Sequence, residues 1–137
     1  MISQSTQQTR ELGARLAQVA KPGDIFALTG DLGTGKTEFV RGFVHELSAD
    51  AQVRSPTFSI VNTYRTGRFA VFHFDFYRLS DCSELEQIGF DEYVSSDGVC
   101  LIEWADMFID VLPENTRVIR FSDCGKDARE IVSDFSW

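Results

Sequence analysis

The sequence predicts an α/β fold, a three-layer sandwich around a central mixed, mainly parallel sheet, in one domain spanning residues 1–137. Three observations carry that expectation. A short apolar run, "IFALTG" (25–30), leads straight into glycines at positions 30, 33 and 35, then a lysine and a threonine. An apolar series at helical spacing follows at once, through Phe39, Val40, Phe43, Val44 and Leu47. A second clean apolar run, "GVCLIEW" (98–104), ends on a carboxylate, as a buried strand does at the edge where open α/β sheets bind ligands.

The remaining elements follow in order. Residues 5–20 predict an amphipathic helix, capped by Ser5 or Thr6, with Leu12, Leu16, Val19 and Ala20 recurring on one face. The Pro-Gly pair in "KPGD" (21–24) makes a turn. "SPTFSIVNTY" (55–64) and "RFAVFHFDF" (68–76) are β-rich and pair across the "RTGR" turn. "DCSELEQIGFDEYV" (81–94) reads as one helix with Asp81 or Ser83 as its cap, and "TRVIRFS" (116–122) and "REIVSDF" (129–135) supply late strands.

Composition narrows the class. At 137 residues with twelve Phe, the chain is long and apolar enough to bury a real core. No apolar run approaches the roughly 20 residues that cross a bilayer, and the polar start "MISQSTQQTRELGARLA" lacks the apolar stretch of a signal peptide. Cys82, Cys100 and Cys124 are far apart and odd in number, which predicts buried free thiols and a cytoplasmic protein without a cysteine metal site. The net charge is −8, with fourteen acidic against four basic groups in residues 79–137. Such a chain is a poor electrostatic match for a phosphate backbone, so any nucleic acid is expected to be held by another protein.

The glycines have a chemical reading. Gly30-x-x-x-x-Gly35-Lys36-Thr37 is the P-loop, or Walker A, arrangement. Glycines let successive backbone N–H groups curl around a phosphate, and the helix that follows adds its positive end. Lys36 then reaches the β- and γ-phosphates, and the Thr37 hydroxyl is placed to ligate Mg²⁺. A chance match in a chain of this length has a frequency on the order of 1% or less. The fold is therefore expected to be P-loop NTPase-like. Two carboxylates at strand ends complement the loop: Glu103 after "VCLI", as in a Walker B element, and Asp75 in "VFHFDFYR". His73 and Tyr77 share the face of Asp75 if that strand alternates, and His73 alone reads as a half-buried structural histidine.

Four motifs in this order and at these spacings, "GDLGTGKTEFVRGF", "SPTFSIVNTY", "HFDFYRL" and "LIEW", closely resemble the bacterial TsaE (formerly YjeE) family over residues 5–130. The resemblance implies a small P-loop ATPase required for N6-threonylcarbamoyladenosine beside the anticodon of tRNAs that read ANN codons. It implies ATP/ADP and Mg²⁺ as cofactors and the TsaD–TsaB transferase pair as partner, with tRNA met only through that pair. Carried over by position, Gly33, Thr34, Gly35, Lys36 and Thr37 would cradle the phosphates, and Thr37 with Glu103 would bind the metal. Asp75 would orient the attacking water, with Lys36 as the second catalytic group. Thr57 would lie on a switch-like loop, Trp104 near the nucleotide or the partner surface, and Thr6 and Lys126 near the base or ribose.

Low activity in isolation is expected, since no arginine finger is obvious in the sequence. Two alternatives stand beside an ATPase: a P-loop small-molecule kinase, and a nucleotide-switched binding module without significant catalysis. Weak self-association is left open. Arg41, Arg54, Arg65, Arg68 and Arg78 read either as ordinary solvated arginines or as a small basic face for protein contacts.

Overall fold

The computed structural model of the chain describes residues 1–31, 33–56 and 60–137. A seven-stranded sheet runs β1 (Ile2–Ser3), β7 (Ala128–Ser133), β6 (Arg117–Gly125), β2 (Ile25–Thr29), β5 (Val99–Glu103), β4 (Ala70–Asp75), β3 (Val61–Arg65). Its four central strands are parallel, and the pairs at both edges are antiparallel. Every residue of β2 and β5 is buried, as the two uninterrupted apolar runs require of strands covered on both faces.

Helices α1 (Thr6–Val19) and α2 (Lys36–Leu47) cover one face, where Leu16, Phe39 and Phe43 pack on Phe26, Leu28, Leu101 and Ile119. Two short helices, α3 (Ser83–Ile88) and α4 (Phe90–Val94), cover the other, packing Leu85 and Phe90 on Phe74, Phe76 and Ile102. These are the three layers that the pattern of apolar runs predicts.

Several boundaries differ from the sequence reading, each for a local reason. Within the stretch expected as a strand over 55–64, β3 spans Val61–Arg65, and residues 57–59 lie outside the described residues. Before it, Pro56 has no N–H to give a ladder, and the backbone of Arg54 is bonded instead by the side chains of Asn62 and Tyr64. The single helix expected over 81–94 is two, because Gly89 adopts a left-handed conformation (φ 78°) that closes α3. Strand β1 has no period to reveal it; it is held by antiparallel pairing with β7. Only Cys100 is the buried thiol expected, its pKa pushed up by burial to about 12, while Cys82 and Cys124 are free but exposed. Arg68 is not an idle surface cation either: it donates to the carbonyls of Ala17 and Ala20 (2.7 and 3.0 Å) and closes the C-terminal end of α1.

Helices α1 and α2 touch backbone to backbone. A Cβ on Gly13 would lie 2.1 Å from the Phe39 carbonyl oxygen, and one on Gly42 would lie 2.0 Å from that of Arg10. This contact fixes how low α2 sits on the sheet, and α2 begins at the Walker A lysine. Alanine favours a helix over glycine by about 1 kcal/mol, yet Gly42→Ala is expected to destabilise the fold by about 1–3 kcal/mol through overpacking. Urea denaturation tests this, and an unchanged or raised midpoint would contradict the close-contact account.

Candidate functional site

Strand β2 ends at Thr29, and α2 opens at Lys36 behind Gly33 and Gly35. Gly33 (φ 78°) and Gly35 (φ 95°) are both left-handed, and no atom of the described residues beyond its chain neighbours lies within 4 Å of the position a Gly33 Cβ would take. Packing therefore does not demand glycine there; the backbone conformation does, and it leaves room beside the loop. Among the described residues no side chain caps α2, so the first N–H groups of this twelve-residue helix face the cleft without an intrahelical partner. Thr34 ties the loop by donating to the Asp31 carbonyl at 2.7 Å.

Lys36 is buried, 4% exposed, and its Nζ donates to the carbonyls of Gly30 (2.6 Å) and Asp31 (2.9 Å). The same ammonium lies 4.1 Å from the centre of the Trp104 ring, a cation–π contact. Trp104 reaches it from a left-handed backbone (φ 58°), which is rare for a bulky residue and costly enough to be kept for a reason. Burial holds the lysine pKa below its ordinary value, against the opposite pull of Glu103, Asp106, Asp31 and Asp75.

One residue further on, the Thr37 hydroxyl donates to Glu103 (3.0 Å to Oε1, 3.1 Å to Oε2) and meets the Ser55 hydroxyl at 3.1 Å. Glu103 Oε2 also accepts from His73 Nε2 at 2.5 Å. Asp75 stands directly across the β4–β5 ladder from Glu103 and accepts from the Tyr77 amide at 2.9 Å. Burial pushes the Asp75 carboxyl above the usual range; the Tyr77 amide opposes that shift and the Glu103 charge adds to it. At the rim, Glu38 is bonded by Arg10 (2.7 Å) and Arg41, which hold its carboxyl low despite partial burial.

These groups line a cleft of about 480 Å³ at the C-terminal edge of the parallel strands. Of the residues singled out in the sequence, it gathers Thr6, Gly33, Thr34, Gly35, Lys36, Thr37, Asp75, Glu103 and Trp104. Lys126 is exposed at the left-handed turn between β6 and β7 (φ 48°), and its neighbours Asp127 and Arg129 line the cleft instead. Thr57 lies outside the described residues. Sequence reasoning did not assign Ser5, Thr9, Ser55 or Arg129 to the site: Ser5 read only as a helix cap, Ser55 only as the start of a β-rich motif, and Thr9 and Arg129 carry no local motif. Arg78, within "HFDFYRL" but assigned no place in the site, also lines the cleft.

The family described as "Threonylcarbamoyl adenosine biosynthesis protein TsaE" matches residues 3–131, spanning the loop, both carboxylates and the β6–β7 turn. The chain belongs to the TsaE family. Among relatives named "tRNA threonylcarbamoyladenosine biosynthesis protein TsaE", that of Bacillus subtilis is 42% identical over 126 residues, covering 92% of this chain and 78% of its own. That of Treponema pallidum is 35% identical, with 96% of each chain aligned. The crystal structure of Bacillus subtilis YdiB superposes with a TM-score of 0.80 at 34% identity, covering 97% of this chain and 82% of that one. The family likeness and the P-loop-type architecture thus agree over nearly the whole length.

The raised pKa of Asp75 has a consequence for stability. A carboxyl that holds its proton more tightly when folded stabilises the fold fully below the unfolded pKa, near 3.8, and loses that contribution as pH rises through the folded value. Asp75→Asn stays neutral throughout. It is expected to melt above the parent protein at pH 7, with the gap closing below about pH 4. A difference that does not vary with pH would contradict the assigned shift.

Proposed function

We propose that this protein is a Mg²⁺-dependent P-loop ATPase that supports formation of N6-threonylcarbamoyladenosine next to the anticodon of tRNAs reading ANN codons, acting with the TsaD–TsaB pair. The observation that carries the nucleotide reading is the 3.0 Å contact between Thr37 and Glu103. It joins the first turn of the helix behind a glycine loop to a carboxylate ending the adjacent strand. Both donors are hard oxygens, which suit Mg²⁺ held by one or two protein groups together with substrate phosphates. The cleft fits the rest of the ligand: bare amides at the helix start, a buried ammonium, and space over Gly33. When bound, Mg²⁺ supplies charge neutralisation on the phosphate oxygens.

In this reading the chain's own groups divide the work. The loop amides and Lys36 bind the phosphates and stabilise negative charge that develops as the β–γ bridging bond breaks. Asp75 orients the water whose oxygen bonds to the γ-phosphorus; its burial and raised pKa suit it to accept a proton there. Thr6, at the start of α1, is assigned to the base and ribose end. Trp104 buttresses Lys36 and presents its ring at the cleft mouth beside exposed Tyr77, 5.0 Å away. The family's part in tRNA threonylcarbamoyladenosine biosynthesis supplies the biological role, and the −8 charge supports contact with tRNA through a partner rather than directly.

ATP turnover, measured alone and with the TsaD–TsaB pair, tests the proposal. Stimulation by the pair is expected. Asp75→Ala should cut turnover by about 100-fold or more while leaving ATP affinity within a few-fold. Lys36→Ala should weaken nucleotide binding itself. Turnover that ignores the pair and rises with a small phosphate acceptor would contradict the proposal in favour of a kinase. Loss of partner docking together with turnover in Asp75→Ala would favour a nucleotide-switched binding module.

A further inference from the structure

His73 is a titratable group at this end of the sheet that the chemistry above leaves without a task. It is fully buried on β4, two residues before Asp75 and on the same face. Its strand register sets it opposite Leu101, so the ring reaches along the ladder to the next carboxylate, Glu103. Nε2 lies 2.5 Å from Glu103 Oε2, whereas Nδ1 is buried with no hydrogen-bond partner among the described residues. A ring kept only to fill space would leave an apolar side chain preferable, because an unpaired buried nitrogen costs free energy and returns nothing. Among the described residues, the ring's one hydrogen bond goes to one oxygen of the carboxylate.

We infer that His73 is a positioning residue for the metal site: by bonding Glu103 Oε2 it holds the carboxylate that would bind the cation in place beside the Thr37 hydroxyl. Without that bond, Glu103 is held among the described residues only through Thr37, which is itself needed as a ligand, and its carboxylate can rotate about its terminal torsion. Outer-shell hydrogen bonds that fix a ligand in this way are worth about 10–100-fold in metal affinity. The inference rests on the Mg²⁺–nucleotide reading above.

The test is calorimetric titration of the whole protein with a non-hydrolysable ATP analogue, in Mg²⁺ and in EDTA, for the parent, His73→Leu and His73→Gln. The parent should bind more tightly in Mg²⁺. In His73→Leu the affinity in EDTA should stay within about twofold while the Mg²⁺-dependent tightening falls by about 10-fold or more. His73→Gln, whose amide can donate from nearly the same place, should restore most of the tightening. Full tightening in His73→Leu overturns the inference. So does an equal loss in His73→Gln, or a matching loss in EDTA, since either marks a merely structural histidine. If the parent shows no tightening in Mg²⁺, the metal reading itself fails and the inference falls with it.

Discussion

Parallel strands joined by backbone hydrogen bonds run out at a common edge, and that constraint places everything in the cleft. Strands β2 and β5 are locked together from Ile25 opposite Cys100 to Leu28 opposite Glu103. Whatever follows β2 must therefore emerge beside the last residue of β5. The glycine loop turns there, α2 starts there, and Thr37 meets Glu103. The β4–β5 register then sets Asp75 directly beside the same carboxylate. A slip of one residue in β5 would turn Glu103 to the opposite face, against Phe74, Phe76 and Phe90, and no site would exist.

The arrangement is costly, and the rest of the fold offsets the cost. Lys36, His73, Asp75 and Glu103 are each less than one-tenth exposed, at the same end of one sheet. Charges in that setting pull against burial, as the opposing influences on Lys36 and Asp75 show. Support comes from large aromatic contacts on both sheet faces. Phe74 meets Phe90 and Tyr93 edge-on at 5.2 and 5.4 Å, and Phe39 meets Phe121 and Trp137 at 5.4 and 6.2 Å. Trp137 also donates from its indole to the Leu12 carbonyl at 3.1 Å, tying the end of the chain to α1. The site's polarity is thus carried by a core with little freedom to relax.

Much of this was legible because it is local. A strand buried on both faces reads as an unbroken apolar run, so β2 and β5 stood out. Glycines spaced before Gly35-Lys36-Thr37 point as directly to a loop with left-handed backbone opening a helix, and α2 begins at Lys36. Helix α1 begins at Thr6 with Ser5 accepting from the Gln8 amide, as the polar N-terminal pattern suggests. What stayed hidden depends on pairing across the chain. Strand β1 is two residues long and exists because β7 lies beside it. Arg129 reaches the cleft only through the β6–β7 hairpin, and His73 acquires its partner only once β4 lies on β5. The break at Gly89 was visible as a glycine, but an apolar period on both sides concealed that it ends one helix before another begins.

We propose that Thr37 and Glu103, brought together by strand register, act as one unit to hold a metal against a phosphate. A double-mutant cycle on Mg²⁺-dependent nucleotide affinity measures this most directly, using Thr37→Ala, Glu103→Gln and the pair. If the two residues form one site, the double variant loses no more than the worse single variant. Losses that add, as for independent positions, would contradict it.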